Sequence, residues 1–355
     1  MKEVSRVSID ISKQVFQVHA ASSKGEILWR KRVRREDLHN LIKELSPCEI
    51  GMEACGGAHF WGREFQALGH TVRLLAPQYV KPYVKRNKND SADADAILEA
   101  MSRPTMSFIP VKSAEQQEVC QLHRARELAV KHRTALVNEI KGFMHEHGIA
   151  LSCSGYSKLM SEYLSVLEQC GSRLRDGTKR LMSTLFEQLF AINKTIEKYE
   201  LELKAHHAIN EISQRLESVP GVGLLTATAI AASVGDPSRY KSGRDFAASL
   251  GLVPRQHSSG ATQRLGGISK RGDSYLRKLM VQGGHTVVMH AKKHQDSRSR
   301  WVVGIAERRG RVKAAVAVAN KNARVMWALM VKGGSYQENY GEKNQREVEP
   351  SALAL

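Results

Sequence analysis

Two long helical segments in the middle of the sequence most constrain how this chain of 355 residues can fold. Residues 113–147 contain no proline and a single glycine, Gly142, and their apolar residues recur three and four positions apart. A second helical pattern follows a break at residues 151–156 and continues to about residue 207. Helices of this length favour an antiparallel hairpin or coiled coil that spaces domains or joins protomers. We therefore predict a helical insert, residues 111–208, between two other domains.

The segment before the insert, residues 1–110, alternates between strand and helix patterns. Three strand-like runs come first, and Ser23-Lys24-Gly25 marks the clearest turn between them. The patterns then alternate between helix and strand, so that the whole order is βββαβαβα. This order predicts an α/β domain in which an antiparallel meander leads into a parallel section.

The segment after the insert, residues 209–335, is mainly helical in pattern, and we predict that the polar residues 336–355 form a disordered tail. Pro220-Gly221-Val222-Gly223 lies between two helical patterns and resembles the turn of a helix-hairpin-helix motif. In that motif the backbone N–H groups of the glycines, here Gly221 and Gly223, contact a DNA phosphate. An ordinary turn between two helices is the alternative interpretation.

Positive charge is concentrated in the C-terminal part of the chain, whose total formal charge is +18. Between Pro254 and Val325, sixteen Lys or Arg residues stand against three Asp or Glu residues. Such a distribution is typical of a nucleic-acid surface, because surplus cations displace phosphate counterions. A solvated basic face explains any one of these residues equally well. The residues that we expect to contact phosphate are Arg255, Arg264, Lys270 and Arg271.

Other classes of protein find little support in the sequence. The longest apolar run, Leu224–Val234, is far shorter than the roughly 20 residues of a membrane span. The N-terminus leads directly into a strand pattern without the apolar core of a signal peptide, so we expect a cytoplasmic protein. The five cysteines are irregularly spaced, which favours reduced thiols over a disulfide scaffold or a zinc site.

Acidic residues end two of the predicted strands. Asp10 follows the first strand, where the apolar alternation breaks, and Glu53 ends the strand CEIGME in the same way. Ligands of open α/β sheets bind at the carboxyl ends of the strands. If the two strands are neighbours, their carboxylates come within reach of one shared cation.

Three more aspartates open a predicted helix in the stretch KRNKNDSADADAI. At 100° per residue, Asp90 and Asp93 lie about 60° apart on one helix face, whereas Asp95 lies on the other side and should face solvent. Two neighbouring carboxylates favour a divalent cation between them, and Mg²⁺ or Mn²⁺ suits oxygen ligands. Alternatively, Asp90 is a helix N-cap and Asp93 favours the first turn through the helix dipole.

The order of these four acids resembles the DEDD arrangement of RuvC-like nucleases, which have the ribonuclease H fold. NKNDSADADAI, the helical insert, PGVG and GLVPRQHSSG are together similar to the bridge-RNA-guided transposases of insertion sequences, over roughly residues 5–330. The resemblance implies a RuvC-like N-terminal domain, a C-terminal transposase domain, a DNA substrate, a guide RNA, and a homodimer or homotetramer. It also implies a metal site and catalytic acids formed by Asp10, Glu53, Asp90 and Asp93.

The resemblance also assigns a role to Ser259. GLVPRQHSSG matches the family pattern G-L-x-P-R-x-x-x-S-G, which places a nucleophile at Ser259. Taken alone, Ser259 is a loop serine, and we expect His257 in the same extended loop to point elsewhere. The family implies that Ser259 meets the acidic site, from another protomer, and exchanges DNA strands through a 5′-phosphoserine link.

Three alternatives compete with a recombinase. The first is a metal-dependent nuclease or junction resolvase that uses water, in which Ser259 is structural. The second is a non-enzymatic DNA-binding protein, and the third, least favoured, is a sugar kinase with GMEACGG as a weak phosphate loop. In all of them we expect Trp301 and Trp327 to be core residues.

Overall fold

The structure is a computed structural model that describes residues 3–84, 90–151, 155–162, 174–259 and 262–338, without the side chains of Asp90 and Gln263. Contacts divide the chain into two compact units, Met1–Glu118 and Val119–Leu355. None of the helices in the described ranges is long and apolar enough to cross a membrane. The predicted tail lies outside the described residues from position 339 onward, and the predicted domain boundaries stay predictions.

A six-stranded sheet organises the first unit. Its strands are β1 (Arg6–Asp10), β2 (Val15–Ala21), β3 (Ile27–Arg34), β4 (Glu49–Glu53), β5 (Thr71–Leu75) and β6 (Phe108–Ile109). They lie in the order β3-β2-β1-β4-β5-β6. The pairs β1–β2 and β2–β3 are antiparallel, whereas β1–β4 and β4–β5 are parallel. The predicted antiparallel meander and parallel section are therefore confirmed.

Helices cover both faces of this sheet. One face packs its buried apolar residues, among them Ile9 and Met52, against the helices α1 (Arg35–Lys43) and α2 (Ala58–Ala67). Side chains alternate along a strand, so Ser8 and Gly51, which directly precede Ile9 and Met52 in the sequence, lie on the other face. The helix α4 packs on this second face. The helices are α1 (Arg35–Lys43), α2 (Ala58–Ala67), α3 (Pro77–Val80) and α4 (Asp90–Met101).

Two long helices begin the second part of the chain, as predicted. Helix α5 spans 33 residues and α7 spans 34. They are antiparallel, since Arg126 bonds to Glu200 while Arg133, farther along α5, bonds to the earlier residue Asn193. Met144 and Met182 belong to the apolar cluster between their other ends. The bounds are α5 (Ala114–Glu146), the short α6 (Tyr156–Ser161) and α7 (Asp176–Ile209).

A helical domain with one hairpin completes the second unit. Helices α11 (Ser274–His290) and α13 (Arg311–Lys332) pack so closely that only glycine fits at Gly284 of α11, where an added Cβ would lie 2.2 Å from the carbonyl oxygen of Ala315. The strands are β7 (Pro254–Ser259) and β8 (Thr262–Ile268). The helices are α8 (Glu211–Glu217), α9 (Leu224–Val234), α10 (Gly243–Ser249), α11 (Ser274–His290), α12 (Ser297–Arg309) and α13 (Arg311–Lys332).

A buried histidine joins the long helix α5 to this domain. Nδ1 of His123 lies 2.9 Å from the hydroxyl of Tyr275 in α11, and Nε2 lies 3.0 Å from the hydroxyl of Thr228 in α9. Burial, with a smaller contribution from Arg126, lowers the pKa of His123 to about 4. Burial likewise raises the pKa of Tyr275 to about 12. Both groups are therefore neutral at physiological pH.

We expect this histidine to make stability depend on pH. In the unfolded state His123 binds a proton with the ordinary pKa of 6.5, whereas in the folded state its pKa is about 4. The contribution of neutral His123 to the free energy of unfolding is complete above pH 6.5 and is lost as the pH falls toward 4. About 2 kcal/mol of it is lost by roughly pH 5. Urea denaturation at several pH values checks this, with His123→Gln as the non-titrating control. Equal pH dependence in the two proteins would contradict the assignment.

Candidate active site and nucleic-acid interface

Asp10 and Glu53 end two neighbouring parallel strands. The register of β1 and β4 pairs Ile9 with Met52, so the next residue of each strand, Asp10 and Glu53, stands at the carboxyl edge of the sheet. Burial raises the pKa of the Cys55 thiol, and the charges of Glu53 and Asp10 raise it further. Both carboxylates therefore act on the same thiol, and we call Asp10 and Glu53 the carboxylate pair.

Helix α4 covers the sheet face on which this pair lies. Asp10 and Glu53 are each two residues beyond Ser8 and Gly51, and alternation places all four on one face. Ile97 and Met101 of α4 lie against Gly51, where an added Cβ would be 3.2 Å and 2.5 Å from their side chains. Asp93 precedes Ile97 by four residues and is about 40° from it around the helix. It is therefore on the side of α4 that faces the sheet.

The described residues supply only part of the predicted metal site. Asp10 and Glu53 are brought together, and Asp93 shares the same face. Within the described part of the chain, however, no three His, Cys, Asp or Glu side chains are grouped so as to hold a metal ion. The side chain of Asp90 is outside the described residues. The chemistry of the pair suits Mg²⁺ or Mn²⁺, which take oxygen ligands, but the four-acid site stays a prediction.

The expectation that Asp95 faces solvent holds only in part, because 40% of its side chain is exposed but the carboxylate is paired with two residues of the sheet. Its Oδ1 lies 2.8 Å from Nδ1 of the fully buried His19 in β2, and Arg30 of β3 contacts both carboxylate oxygens at 3.3–3.4 Å. The physical reason is that α4 packs on both β1 and β2, so the flank of the helix that carries Asp95 lies within reach of β2 and β3. Helical spacing alone gives no signal of this.

Ser259 lies on an exposed β-hairpin rather than in a loop. It ends β7 and pairs in register with Thr262, and all six residues of β7 are exposed. Alternation places His257 on the same face as Ser259, so the expectation that it points elsewhere is wrong. In the described part of the chain, Ser259 has no hydrogen bond to an acid or base. Its neighbour Ser258 accepts a hydrogen bond from Gln256 at 3.0 Å.

The base of this hairpin is held firmly, although its strands are exposed. Gly251, at φ +71°, lies so close to the backbone that an added Cβ would be 2.3 Å from the carbonyl oxygen of Arg271. Arg277 donates hydrogen bonds to the carbonyl oxygens of Leu250 and Arg271 at 3.1 Å and 3.0 Å. Ser259 therefore lies on an exposed hairpin whose base is held in place by backbone contacts and hydrogen bonds.

The four cations expected to contact phosphate, Arg255, Arg264, Lys270 and Arg271, are all exposed around this hairpin. Not every cation of the basic segment lies at the surface. Arg298 is buried, with 6% of its surface exposed. The surface charge is thus smaller than the sequence count indicates.

The PGVG turn joins α8 to α9 and packs on α11. Gly221 has φ +83°, and an added Cβ would lie 2.7 Å from the carbonyl oxygen of Gly283, so the turn requires glycine there. Gly223 is the exposed N-cap of α9, with no side-chain cap and open space around its Cα. Trp301 and Trp327, which we expected to be core residues, are partly buried and pack against core clusters. Trp327 also donates to the carbonyl oxygen of Pro237 at 3.0 Å.

Comparisons with known proteins decide the family. A profile described as "Transposase IS116/IS110/IS902 family" matches residues 213–300, and a transposase profile of the DEDD IS110 type matches residues 7–149. A probable family 20 transposase of Pseudomonas aeruginosa is 46% identical over 94% of this chain and 99% of its own length. The chain belongs to the IS116/IS110/IS902 family of transposases. Transposases act on DNA, so this family membership argues against a sugar kinase and against a purely architectural protein.

Relatives from other bacteria are similar over the same length. The transposase for insertion sequence element IS1111A of Coxiella burnetii is 42% identical over 95% of this chain and 92% of its own. The transposase for insertion sequence element IS1328 of Yersinia enterocolitica is 40% identical over 94% of this chain and 98% of its own. The two profiles of this transposase family contain the carboxylate pair and Ser259, respectively.

Proposed function

We propose that this transposase is a DNA recombinase of an insertion sequence that cuts and rejoins strands through Ser259, guided by a structured RNA. The observation that carries the proposal is the pair of Asp10 and Glu53 at the carboxyl edge of neighbouring parallel strands. This pair lies in the part of the chain that matches the DEDD transposase profile. We propose that the sheet around it is a RuvC-like variant of the ribonuclease H fold.

The four acids Asp10, Glu53, Asp90 and Asp93 are proposed to bind Mg²⁺ or Mn²⁺. Two carboxylates at adjacent strand ends repel each other, and a divalent cation between them offsets that repulsion. Asp10 and Glu53 would hold the cation from the sheet, and Asp90 and Asp93 from the start of α4. When bound, the cation supplies positive charge that stabilises the negative charge developing on a scissile phosphate.

Ser259 is proposed to be the nucleophile. Its Oγ forms a bond to phosphorus while the bond from phosphorus to the DNA 3′-oxygen breaks, and the hydroxyl proton ends on that released oxygen. The resulting 5′-phosphoserine ester retains the phosphodiester, so a strand can be resealed without ATP. The exposed hairpin supports this role, because a hydroxyl at the end of β7 is accessible to a DNA backbone.

The proposed partners follow from charge and from this chemistry. Arg255, Arg264, Lys270 and Arg271, all exposed near Ser259, would contact phosphates of the donor and target DNA. Sequence recognition would be delegated to base pairing with a guide RNA. We propose a homodimer or homotetramer that works in the cytoplasm, in which acids and serine come from different protomers.

The RNA guide is tested by purifying the protein with and without the RNA transcribed beside its own gene. We expect the complex to join donor and target DNA, and nuclease removal of the RNA to abolish joining. Adding back the synthetic transcript should restore it, while a transcript with scrambled loop sequences should not. Equal joining by RNA-free protein would contradict RNA guidance and leave the transposase assignment intact.

A metal-dependent nuclease that uses water is a second candidate. The observation in its favour is that Ser259 has no hydrogen bond to an activating acid or base within the described residues. Such an enzyme would cut DNA at the carboxylate pair without a covalent intermediate. Replacement of Ser259 separates the two functions.

A further inference from the structure

An arginine is buried beneath the PGVG turn without a described acid to pair with. Only 6% of Arg298 in α12 is exposed. Its guanidinium donates to the carbonyl oxygen of Pro220 at 3.2 Å, to Oδ1 of Asn322 at 2.5 Å and to the hydroxyl of Tyr336 at 2.9 Å. These acceptors are neutral, and Nε is buried without a partner in the described residues. The ring of Tyr336 lies 5.5 Å from the guanidinium carbon, but no described carboxylate forms an ion pair with Arg298.

A buried charge of this kind is costly unless something offsets it. Removing a charged group from water carries a large desolvation penalty, and neutral acceptors recover only part of it. Neighbouring residues add to the positive charge rather than neutralise it: burial, and then Arg298 and Arg324, lower the pKa of Lys321. The acid next to the turn, Glu217, is engaged by Nε2 of His207 at 2.8 Å. The charge points to an anion supplied from outside the chain.

The turn above Arg298 has the backbone geometry to receive an anion. Helix α9 spans 11 residues and begins at Gly223 without a side-chain cap. Thr226 and Ala227 donate to the carbonyl oxygen of Gly223, so the backbone N–H groups left for a ligand in the first turn are those of Leu224 and Leu225. The carbonyl oxygen of Pro220 accepts from Arg298 and also from Nδ2 of Asn322 at 2.9 Å. These two donors polarise the Pro220–Gly221 peptide, which makes the N–H of Gly221 a stronger donor.

We infer that Arg298 is the buried countercharge of a phosphate-binding site at the start of α9, where a nucleic-acid backbone phosphate contacts the PGVG turn. This inference rests on the proposed function, a recombinase that binds DNA, and on the predicted phosphate contact of Gly221 and Gly223, to which it adds the residue that sets the electrostatic potential there. Arg298 does not touch the phosphate. It acts through the turn and is a positioning residue.

Two substitutions of Arg298 separate its charge from its hydrogen bonds. Arg298→Lys and Arg298→Met both remove the guanidinium geometry, but only the methionine removes the charge. We expect the lysine variant of the full chain to bind a random-sequence DNA duplex nearly as tightly as the parent. The methionine variant should bind about tenfold more weakly, the effect of one unit charge across a partly buried site. Fluorescence anisotropy measures binding, and urea denaturation checks that both variants fold.

Equal affinity of the lysine and methionine variants would overturn the inference, whether both bind normally or both bind weakly. A paired test at Gly223 examines the turn itself. Gly223→Asp adds a favourable N-cap and a negative charge in open space, so it should keep the fold while weakening DNA binding; Gly223→Ser is the neutral control. If Gly223→Asp binds DNA like the parent, the phosphate contact of the turn is wrong. If it weakens binding and Arg298→Met does not, only the role of Arg298 is wrong.

Discussion

Ser259→Ala is expected to abolish strand joining and the covalent protein–DNA adduct together. The substitution removes a single oxygen atom from an exposed position at the end of β7, so the fold should not change. If Oγ is the nucleophile, the rate of joining falls by at least about a thousandfold, as when the nucleophile of other covalent enzymes is removed. Denaturing gel electrophoresis of end-labelled DNA detects the adduct, and sequencing of joined products measures exchange.

The matched control is Ser258→Ala. Ser258 is the preceding residue of the same exposed strand and accepts only a hydrogen bond from Gln256 among the described contacts. Alternation turns its side chain to the opposite face from Ser259. We expect near-normal joining by this variant. Retained cleavage by Ser259→Ala without an adduct would instead establish the water-using nuclease, and loss of activity in both variants would point to damage of the hairpin.

Local sequence patterns were sufficient to predict the sheet and the long helices. The alternation of Val7 and Ile9 with Ser8, repeated in β4, indicates strands with one face packed on apolar helices. The break of that alternation at Asp10 and Glu53 indicates the end at which the acids lie. These features depend on residues close in sequence, so periodicity detects them. The sequence left open whether β1 and β4 are neighbours, and the structure shows that they pair in parallel.

Features that depend on distant residues were not predictable in the same way. Asp95 appears solvent-facing on a helical wheel, yet it contacts His19, which is 76 positions away in sequence. Arg298 counts as a surface cation in the sequence, yet it is buried by groups from a turn, a helix and the C-terminal segment. A single sequence does not indicate which residues that are distant along the chain are in contact in the fold. The best available signal for Arg298 was its helical position near the apolar Val302.

His257 illustrates a third kind of error, which concerns backbone conformation. GLVPRQHSSG contains a proline and two serines, which favour an extended loop. The chain instead pairs β7 with β8, and Gly251 and Gly272 allow the close backbone contacts at the root of the hairpin. The consequence is chemical, because strand alternation brings His257 to the face of Ser259.

Asp10→Asn and Glu53→Gln are expected to abolish metal-dependent DNA cutting. Each change keeps the size of the side chain and removes one of two negative charges at the carboxyl ends of β1 and β4. A divalent cation held by fewer carboxylates binds more weakly and stabilises the scissile phosphate less, so cutting should fall roughly a hundredfold or more. Titration with Mn²⁺ should show weaker binding by both variants, and DNA binding without metal should be unchanged.

Glu49→Gln is the matched control at the other end of β4. Glu49 pairs with Arg6 at 3.4 Å and with Arg73 at 3.2 Å on the partly exposed sheet edge, interactions worth about 1 kcal/mol or less. We expect this variant to cut DNA normally and to bind Mn²⁺ like the parent. If Asp10→Asn also cuts normally, the carboxylate pair is structural, and the hydroxyl of Ser259 must be activated by other groups, for which His257 on the same strand face is the first to test.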